Sequence, residues 1–245
     1  GFMVYGLFTF MVVVPFVLSV VVSKPEEVGL QPDGALKLPH SDAKANIAPA
    51  PRLSMHQVSR DRNFWIIVLT FSLIFCCMST TLTHMVPRLT DMGHELSLAS
   101  LVMSLCAGLG IVGKLSFGWL GDKLPMRRVL LLVILVQFSG QFLMYQNEDL
   151  FWFAVGAALF GYGVGGVVPL HGAIVGKSFG RERFGAVLGL MRPAMFPIQI
   201  LGVPFAGWVY DTTGSYAQAF QVLLFLYGFA ACAVAFYRAP AGRVV

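Results

Sequence analysis

Long apolar runs without charged residues constrain this chain more than any other feature of its sequence. They recur through 245 residues, of which 57% are hydrophobic and 12% are charged, roughly half the charge of a typical soluble domain. Each run approaches the roughly 20 residues that a helix needs to cross the hydrocarbon core of a bilayer. The composition therefore predicts an all-α integral membrane protein. The net charge of +5 is explained by basic loops, and it predicts no nucleic-acid partner.

Seven transmembrane helices are predicted, in three consecutive parts of the chain. Residues 1–23 form one helix, residues 24–62 form a polar linker rich in Pro, Asp, Lys and Ala, and residues 63–245 form a six-helix bundle. The predicted helices of the bundle are Asn63–Val86, Leu96–Leu120, Val129–Tyr145, Phe151–Gly176, Phe184–Tyr210 and Ala217–Tyr237. Because the sequence starts inside an apolar run without an initiator Met, we expect it to be part of a longer polypeptide.

Basic residues alternate between the two predicted sides of the membrane. The linker, the turn that holds Lys123, Arg127 and Arg128, the loop around Gly180 and the C-terminal tail share one side. The loops of the opposite side have Arg88 as their only Lys or Arg. By the positive-inside rule, the linker and the C-terminus are expected to face the cytoplasm, in a plasma (inner) membrane.

A compact charged turn connects the second and third helices of the predicted bundle. It reads G-x-x-x-D-K-x-x-x-R-R from Gly118 to Arg128. Gly118 permits close approach of another helix, and Asp122 can pair with the positive N-terminal end of a neighbouring helix or with a basic side chain. Lys123, Arg127 and Arg128 hold the turn at the cytoplasmic face. We predict that these five residues take part in gating.

This turn resembles the signature loop of the major facilitator superfamily, in its C-terminal copy between the eighth and ninth helices, with Pro125 where the signature usually has glycine. Lys24–Gly34, His84–Gly93 and Tyr210–Phe220 narrow the resemblance to bacterial members of the monocarboxylate transporter and oxalate/formate antiporter branches. The resemblance implies helices six to twelve of a twelve-helix secondary transporter, with an N-terminal half that this sequence lacks. It also implies a small carboxylate substrate moved by alternating access.

Lys114 is the principal candidate for binding substrate. An ionised lysine inside hydrocarbon costs at least ~2.5–3.5 kcal/mol, so it normally faces a cavity or a charged partner. The alternative is that its long side chain reaches the cytoplasmic headgroups. The resemblance favours substrate binding, because these transporters carry a binding cation in the eighth helix before a small-x-Gly step, here Ser116-Phe117-Gly118.

Arg192 is the second candidate cation. Its guanidinium offers a bidentate fork suited to a carboxylate, and Pro193 and Pro197 are expected to leave backbone carbonyls unbonded nearby. The alternative is an arginine that anchors to lipid phosphate or to the loop at Phe184. The resemblance implies that Lys114 and Arg192 lie on two helices that face one central cavity.

Two histidines in the predicted helices complete the candidate binding residues. His84 lies near the outer end of its helix, and His171 follows Pro169. Either can bind substrate, and His84 can also gate the outer mouth or relay a proton, since the unperturbed histidine pKa lies near physiological pH. A structural hydrogen bond is the alternative for both.

The coupling ion is left open. No Asp or Glu lies inside a predicted helix core of the bundle. Gly110 stands one turn before Lys114, where monocarboxylate transporters commonly carry an aspartate. Proton symport and anion exchange therefore both remain as mechanisms.

No metal, cofactor or enzyme activity is predicted. The four cysteines lie in apolar runs without a zinc-binding spacing, and no nucleophile–base pattern is present. Two alternative functions remain, which are a superfamily exporter of apolar compounds with Lys114 at the headgroups, and a membrane sensor that does not transport.

Overall fold

The computed structural model describes residues 2–20, 55–180 and 183–238 of the chain. They belong to two compact units, residues 1–52 and residues 53–245, which are described separately. Every regular element in the described ranges is helical. The prediction of an all-α membrane protein is confirmed.

The described residues of the first unit form one short apolar helical segment. Helix α1 spans Phe2–Phe8 and α2 spans Val14–Val20, and a π-helical stretch over Thr9–Val13 joins them. Pro15 lies in the first turn of α2, and its missing N–H removes one bond of the regular α-helical ladder beside the widened turn. The predicted end of this helix and residues 24–54 of the predicted linker lie outside the described residues.

The described part of the second unit contains six helices that are long and apolar enough to cross a membrane. After a short helix α3 at Met55–Ser59, they are α4 Arg62–Asp91, α5 Leu96–Lys123, α6 Met126–Gln146, α7 Leu150–Phe179, α8 Phe184–Thr213 and α9 Ala217–Ala235. Carboxylates cap two of them, since the Asp61 side chain accepts a hydrogen bond from the Asn63 N–H, and Asp149 accepts from Phe151 and Trp152.

The helix boundaries differ from the predicted ones mainly at the C-terminal ends. Helix α4 continues through Pro87 to Asp91, so Arg88 is a helical residue and not a loop residue. The helix therefore extends beyond its predicted end at Val86. Proline lacks a backbone donor, but neighbouring helices tolerate such a gap within a membrane bundle. The last residues of the predicted linker are also helical, over Met55–Ser59.

Helices α5 and α7 pack against each other through glycine. A Cβ atom at Gly113 would overlap the backbone carbonyl oxygen of Tyr162, and one at Gly165 would overlap that of Gly110. Backbones approach this closely only where side chains are absent, and the resulting van der Waals contacts stabilise helix pairs in membranes. The seam holds α5 in a defined register on α7.

Helices α5 and α8 are the least covered by the rest of the bundle. In each, 22% of the most apolar stretch is buried, against 44–61% in the other four long helices. The core lies among α4, α6, α7 and α9, where Phe71, Phe153 and Phe220 are fully buried. One face each of α5 and α8 is therefore left for lipid or for another part of the protein.

Candidate functional site

Lys114 lies on the wall of a cavity between three helices. The cavity has a volume of about 420 Å³ and is formed by α4, α5 and α7. Lys114 is exposed in this unit, on the poorly covered face of α5. A lysine inside a membrane helix is expected to face a cavity or a charged partner. In this structure, Lys114 lies beside a cavity.

The rest of the cavity wall is almost entirely apolar. Among the described residues that line it, Lys114 carries the only charge. The others are Met78, Leu82, Met103, Cys106, Ala107, Gly110, Ile111, Gly161, Val164, Gly165 and Val168. The site thus combines one cation with a hydrophobic surface, which suits an amphipathic anion.

The glycine seam determines where Lys114 lies. A Cβ atom at Gly165 would come within 2.7 Å of the Lys114 backbone nitrogen, so α7 contacts α5 directly behind this residue. Two residues further on, the Ser116 hydroxyl donates to the Tyr162 hydroxyl at 2.8 Å, and the Tyr162 ring packs on Phe117 at 5.0 Å between centroids. These contacts position the backbone of Lys114 without engaging its ammonium group.

Arg192 lies on α8 and is not among the residues that line the Lys114 cavity. It is exposed, on the second poorly covered helix of the unit. Pro193 cannot donate to the carbonyl of Gly189, so a backbone acceptor is left unbonded one turn away. Within the described residues, the cavity that Lys114 lines therefore does not include Arg192.

His171 is buried between aromatic rings. It is 5% exposed, and its ring centroid lies 4.5 Å from that of Phe71 and 5.9 Å from that of Phe75. Its Nε2 atom has no hydrogen-bond partner among the described residues, and the ring lies within electrostatic range of Arg192. His171 thus lies behind the α8 face and not in the Lys114 cavity.

His84 has a structural hydrogen bond. Its Nε2 atom lies 3.1 Å from the carbonyl oxygen of Val203, which ties α4 to α8. The His84 ring lies 5.1 Å from the ring of Tyr216, which stacks on Tyr210 at 4.4 Å. Burial, with the nearby Asp91 carboxylate as a second cause, raises the pKa of the Tyr216 phenol. This cluster closes the end of the bundle where α4 and α8 finish.

The charged turn is exposed in this unit. Asp122, Lys123, Arg127 and Arg128 are all solvent-accessible, and no heavy atom lies close to the position of a Cβ at Gly118. Within the described residues, the close helix approach of α5 therefore occurs at Gly113. The end of α5 is held by Lys177 of α7, whose Nζ donates to the carbonyl oxygen of Gly121 at 2.7 Å.

Arg88 has a structural role that the sequence did not indicate. It is 7% exposed, and its guanidinium lies 4.2 Å from the ring centroid of Phe220 and 5.7 Å from that of Phe153. Its Nη2 donates to the carbonyl oxygen of Tyr145 at 3.3 Å. Arg88 thereby joins α4 to α6, α7 and α9. The sequence predicts a loop position for Arg88, because the predicted helix ends at Val86.

Replacing Arg88 by alanine is expected to lower the free energy of unfolding by about 3 kcal/mol, through lost cation–π contacts and lost packing. The matched control is Arg62→Ala, since the exposed Arg62 guanidinium also lies near an aromatic ring, at 5.8 Å from the Phe236 centroid. That change is expected to cost about 1 kcal/mol or less. Thermal unfolding in detergent measures both, and equal losses would contradict the role assigned to Arg88.

Two buried glutamines are a second feature that sequence reasoning missed. Gln137 and Gln141 are one turn apart on α6 and fully buried, and Gln141 accepts a hydrogen bond from the Thr81 hydroxyl at 2.8 Å. Both amide atoms of Gln137 have no partner among the described residues. The signal in the sequence is the Gln-x-x-x-Gln spacing inside an otherwise apolar helix, which predicts one polar stripe facing a neighbour.

Comparison with known proteins finds one family and several relatives. The family model described as Major Facilitator Superfamily matches residues 1–146 and residues 115–244. Monocarboxylate transporter 13 of Bos taurus is 26% identical over 191 residues, which are 77% of this chain and 45% of that protein. Monocarboxylate transporter 12-B of Danio rerio is 28% identical over 172 residues, which are 69% of this chain and 35% of that protein.

A shorter match is to a transporter named for inorganic phosphate. Low affinity inorganic phosphate transporter 4 of Petunia hybrida is 34% identical over 116 residues, which are 42% of this chain and 20% of that protein. The chain spans less than half the length of each of these three relatives.

Proposed function

This chain belongs to the major facilitator superfamily, and from that premise we propose that it forms part of a secondary active transporter of small organic anions that works by alternating access. In this proposal, residues 1–23 are the sixth of twelve helices, residues 24–62 are a cytoplasmic linker, and residues 63–245 are the C-terminal bundle. The linker and the C-terminus face the cytoplasm from the plasma membrane, and the N-terminal helices complete the site.

The observation that carries the proposal is the exposed residue Lys114 on the wall of a cavity of about 420 Å³. A cation in such a place attracts anions, because the low-dielectric walls concentrate its field in the cavity. The names of the two monocarboxylate transporters favour a carboxylate over other anions. Binding of a carboxylate at Lys114 is the first step of the proposed cycle.

The two poorly covered helices support the second part of the proposal. Lys114 lies on α5 and Arg192 lies on α8, and both side chains are exposed. Transporter sites form where two helical repeats meet near the bilayer midplane. We infer that the N-terminal repeat closes over these two faces, so that Arg192 reaches the substrate or the gate from the second face. His171 behind Arg192 and His84 at the end of the bundle support that surface.

Exchange of labelled anions in proteoliposomes that contain the full-length protein tests this proposal. Lactate, formate, oxalate and inorganic phosphate are each loaded inside and supplied outside, with and without a pH gradient. Saturable exchange of a carboxylate is the expected result. Uptake driven by the gradient then indicates proton symport, and exchange that ignores the gradient indicates an antiporter. Exchange of phosphate alone would show that the substrate is an inorganic anion and not a carboxylate. Export of apolar dyes without anion exchange would contradict the proposal.

In the same proposal, the turn from Gly118 to Arg128 latches the cytoplasmic side. The Asp122 carboxylate lies at the C-terminal end of α5, where the helix dipole disfavours a negative charge, so a positive counterpart is required to stabilise it. Asp122→Asn is therefore expected to shift the equilibrium between inward-open and outward-open states severalfold, corresponding to about 1 kcal/mol, without lowering anion affinity.

Labelling of single reporter cysteines at the two mouths measures this shift. The control is Asp149→Asn, because the Asp149 carboxylate caps α7 and belongs to no part of the latch. That control is expected to leave the labelling ratio unchanged and to change thermal stability little, because an asparagine side chain also caps a helix N-terminus. If Asp122→Asn also leaves the ratio at both mouths unchanged, the latch is wrong.

A further inference from the structure

We propose that the core among α4, α6, α7 and α9 contains a binding site for internal water, held by Gln137, Gln141 and Tyr227. The site lies apart from the Lys114 cavity, because none of these three residues lines that cavity. The inference is therefore independent of the substrate and goes beyond the proposed function. It follows from the burial of polar groups, from the contacts that bring them together and from the hydrogen bonds that they can make.

Three buried side chains of this core carry polar atoms without a hydrogen-bond partner among the described residues. These atoms are the amide nitrogen and oxygen of Gln137, the amide nitrogen of Gln141 and the hydroxyl oxygen of Tyr227. Both glutamines are fully buried, and Tyr227 is 1% exposed. Gln137 lies about 14 Å or more along the axis from either end of α6, near the middle of the span. Lipid offers no hydrogen bonds at this depth, and an unpaired polar group in an apolar environment is costly, so these atoms require a partner.

A hydrogen bond across the core places α4 and α6 at the same level. The Thr81 hydroxyl of α4 donates to Oε1 of Gln141 at 2.8 Å. Cys77 lies one turn before Thr81, and Gln137 lies one turn before Gln141. Because consecutive membrane helices cross in alternate directions, α4 and α6 run the same way. The Cys77 thiol and the Gln137 amide therefore lie at the same level of the core.

Contacts from α9 and α7 close the same level of the core. The Cys77 thiol donates to the carbonyl oxygen of Leu223 at 3.6 Å, and Tyr227 follows Leu223 by one turn of α9. Helical side chains lean toward the N-terminus of their helix, which brings the Tyr227 hydroxyl toward this level. Tyr227 also lies within electrostatic range of Cys77. On α7, a Cβ atom at Gly163 would come within 2.6 Å of the Gln137 Cγ atom, so this glycine makes room for the glutamine side chain.

The chemistry of these groups selects a neutral ligand that both donates and accepts hydrogen bonds. Two amide NH₂ groups and one phenol are available as donors, and the Gln137 oxygen and the phenol oxygen are available as acceptors. A bound anion would be buried without a counter-charge from these residues, which is costly. A divalent cation is held by carboxylates and several further oxygens, which these side chains do not supply. Buried water typically makes about three hydrogen bonds to such groups, and here it joins α6 to α9.

X-ray radiolysis of the full-length protein in water enriched in heavy oxygen, followed by mass spectrometry, tests the site. Hydroxyl radicals form from water inside the irradiated protein and oxidise the side chains next to bound water, including buried ones. Tyr227 and Phe64 are both aromatic and both 1% exposed, and Phe64 lies about 20 Å from Cys77 along α4. Incorporation of heavy oxygen is expected at Tyr227 and not at Phe64.

A matched pair of glutamine variants assigns the water to Gln137. Gln137→Met keeps a linear side chain and removes the buried amide, whereas Gln221→Met makes the same change at an exposed glutamine of α9. Oxidation of Tyr227 is expected to fall to the level of Phe64 in Gln137→Met and to keep the wild-type level in Gln221→Met. The midpoint of thermal unfolding is expected to fall by about 2 °C or more in Gln137→Met only, because the Tyr227 hydroxyl then loses its bridged partner.

Each result supports the water site or overturns it. An unoxidised Tyr227 in the wild type would show that the polar groups pair with each other directly, and would overturn the inference even if Gln137→Met does not fold. Oxidation of Tyr227 that survives in Gln137→Met, or that is lost equally in Gln221→Met, would show that Gln137 does not hold the water and would also overturn it. None of these measurements depends on transport, so the proposed function is tested separately.

Discussion

Replacing Lys114 by methionine is expected to lower the affinity for carboxylates by about 30-fold or more and to reduce exchange accordingly. Methionine keeps a linear side chain in the cavity but removes the charge, and loss of one partner from a desolvated, hydrogen-bonded charge pair costs at least about 2 kcal/mol. Concentration-dependent exchange of labelled butyrate measures the effect. Lys114 lines the cavity and the adjacent Leu115 does not. The loss of affinity is therefore expected only on substitution of Lys114.

Two further variants make this result interpretable. Lys114→Arg keeps the positive charge and is expected to retain exchange with a changed affinity, since the guanidinium binds a carboxylate with different geometry. Leu115→Met alters the adjacent, 72% exposed residue without a change of charge and is expected to behave as the wild type. Exchange that survives in Lys114→Met would place the ammonium at the lipid headgroups, as the snorkelling alternative requires.

The second large effect is expected at the glycine seam. Gly165→Ala places a methyl group onto the carbonyl oxygen of Gly110 and within 2.7 Å of the Lys114 nitrogen. Both are backbone atoms, so relief requires α5 and α7 to move apart. We expect a loss of about 3 kcal/mol or more in the free energy of unfolding, at the upper end of overpacking in protein cores. The midpoint of thermal unfolding in detergent should fall by about 6–12 °C.

The control for this change is Gly228→Ala on α9. No atom lies within 4 Å of a Cβ at Gly228, and alanine favours the helix by about 1 kcal/mol relative to glycine. The control is therefore expected to be neutral or slightly stabilising. If Gly165→Ala has the same midpoint as Gly228→Ala, the seam does not hold α5 and α7 at this distance. A folded Gly165→Ala protein is also expected to bind anions more weakly, because Lys114 moves with its backbone.

Local signals in the sequence determined the fold class and the family. Runs of apolar residues predicted the six long helices of the bundle, and the structure confirms them. The turn from Gly118 to Arg128 indicated the major facilitator superfamily, and the family model confirms the resemblance. These features are readable because hydrophobic length, caps and turn residues act over a few neighbouring positions.

Tertiary structure alone decided which side chains meet. The predicted helix ends at Val86, yet α4 continues to Asp91, and Arg88 becomes buried between aromatic rings of α7 and α9. Gly118 looked like the point of close helix approach, but within the described residues that approach occurs at Gly113. Each outcome depends on which helix lies opposite. The local sequence of a helix does not specify which other helix packs against it.

The candidate site divides in the same way. The sequence indicated Lys114, because an ionised lysine in an apolar helix is energetically unfavourable unless it faces a cavity or a charged partner. It did not indicate that Met78, Met103 and Ile111 would form an apolar wall beside that cation. Those residues look like ordinary membrane-facing side chains until three helices pack together, because a cavity is a property of their separation and not of any one of them.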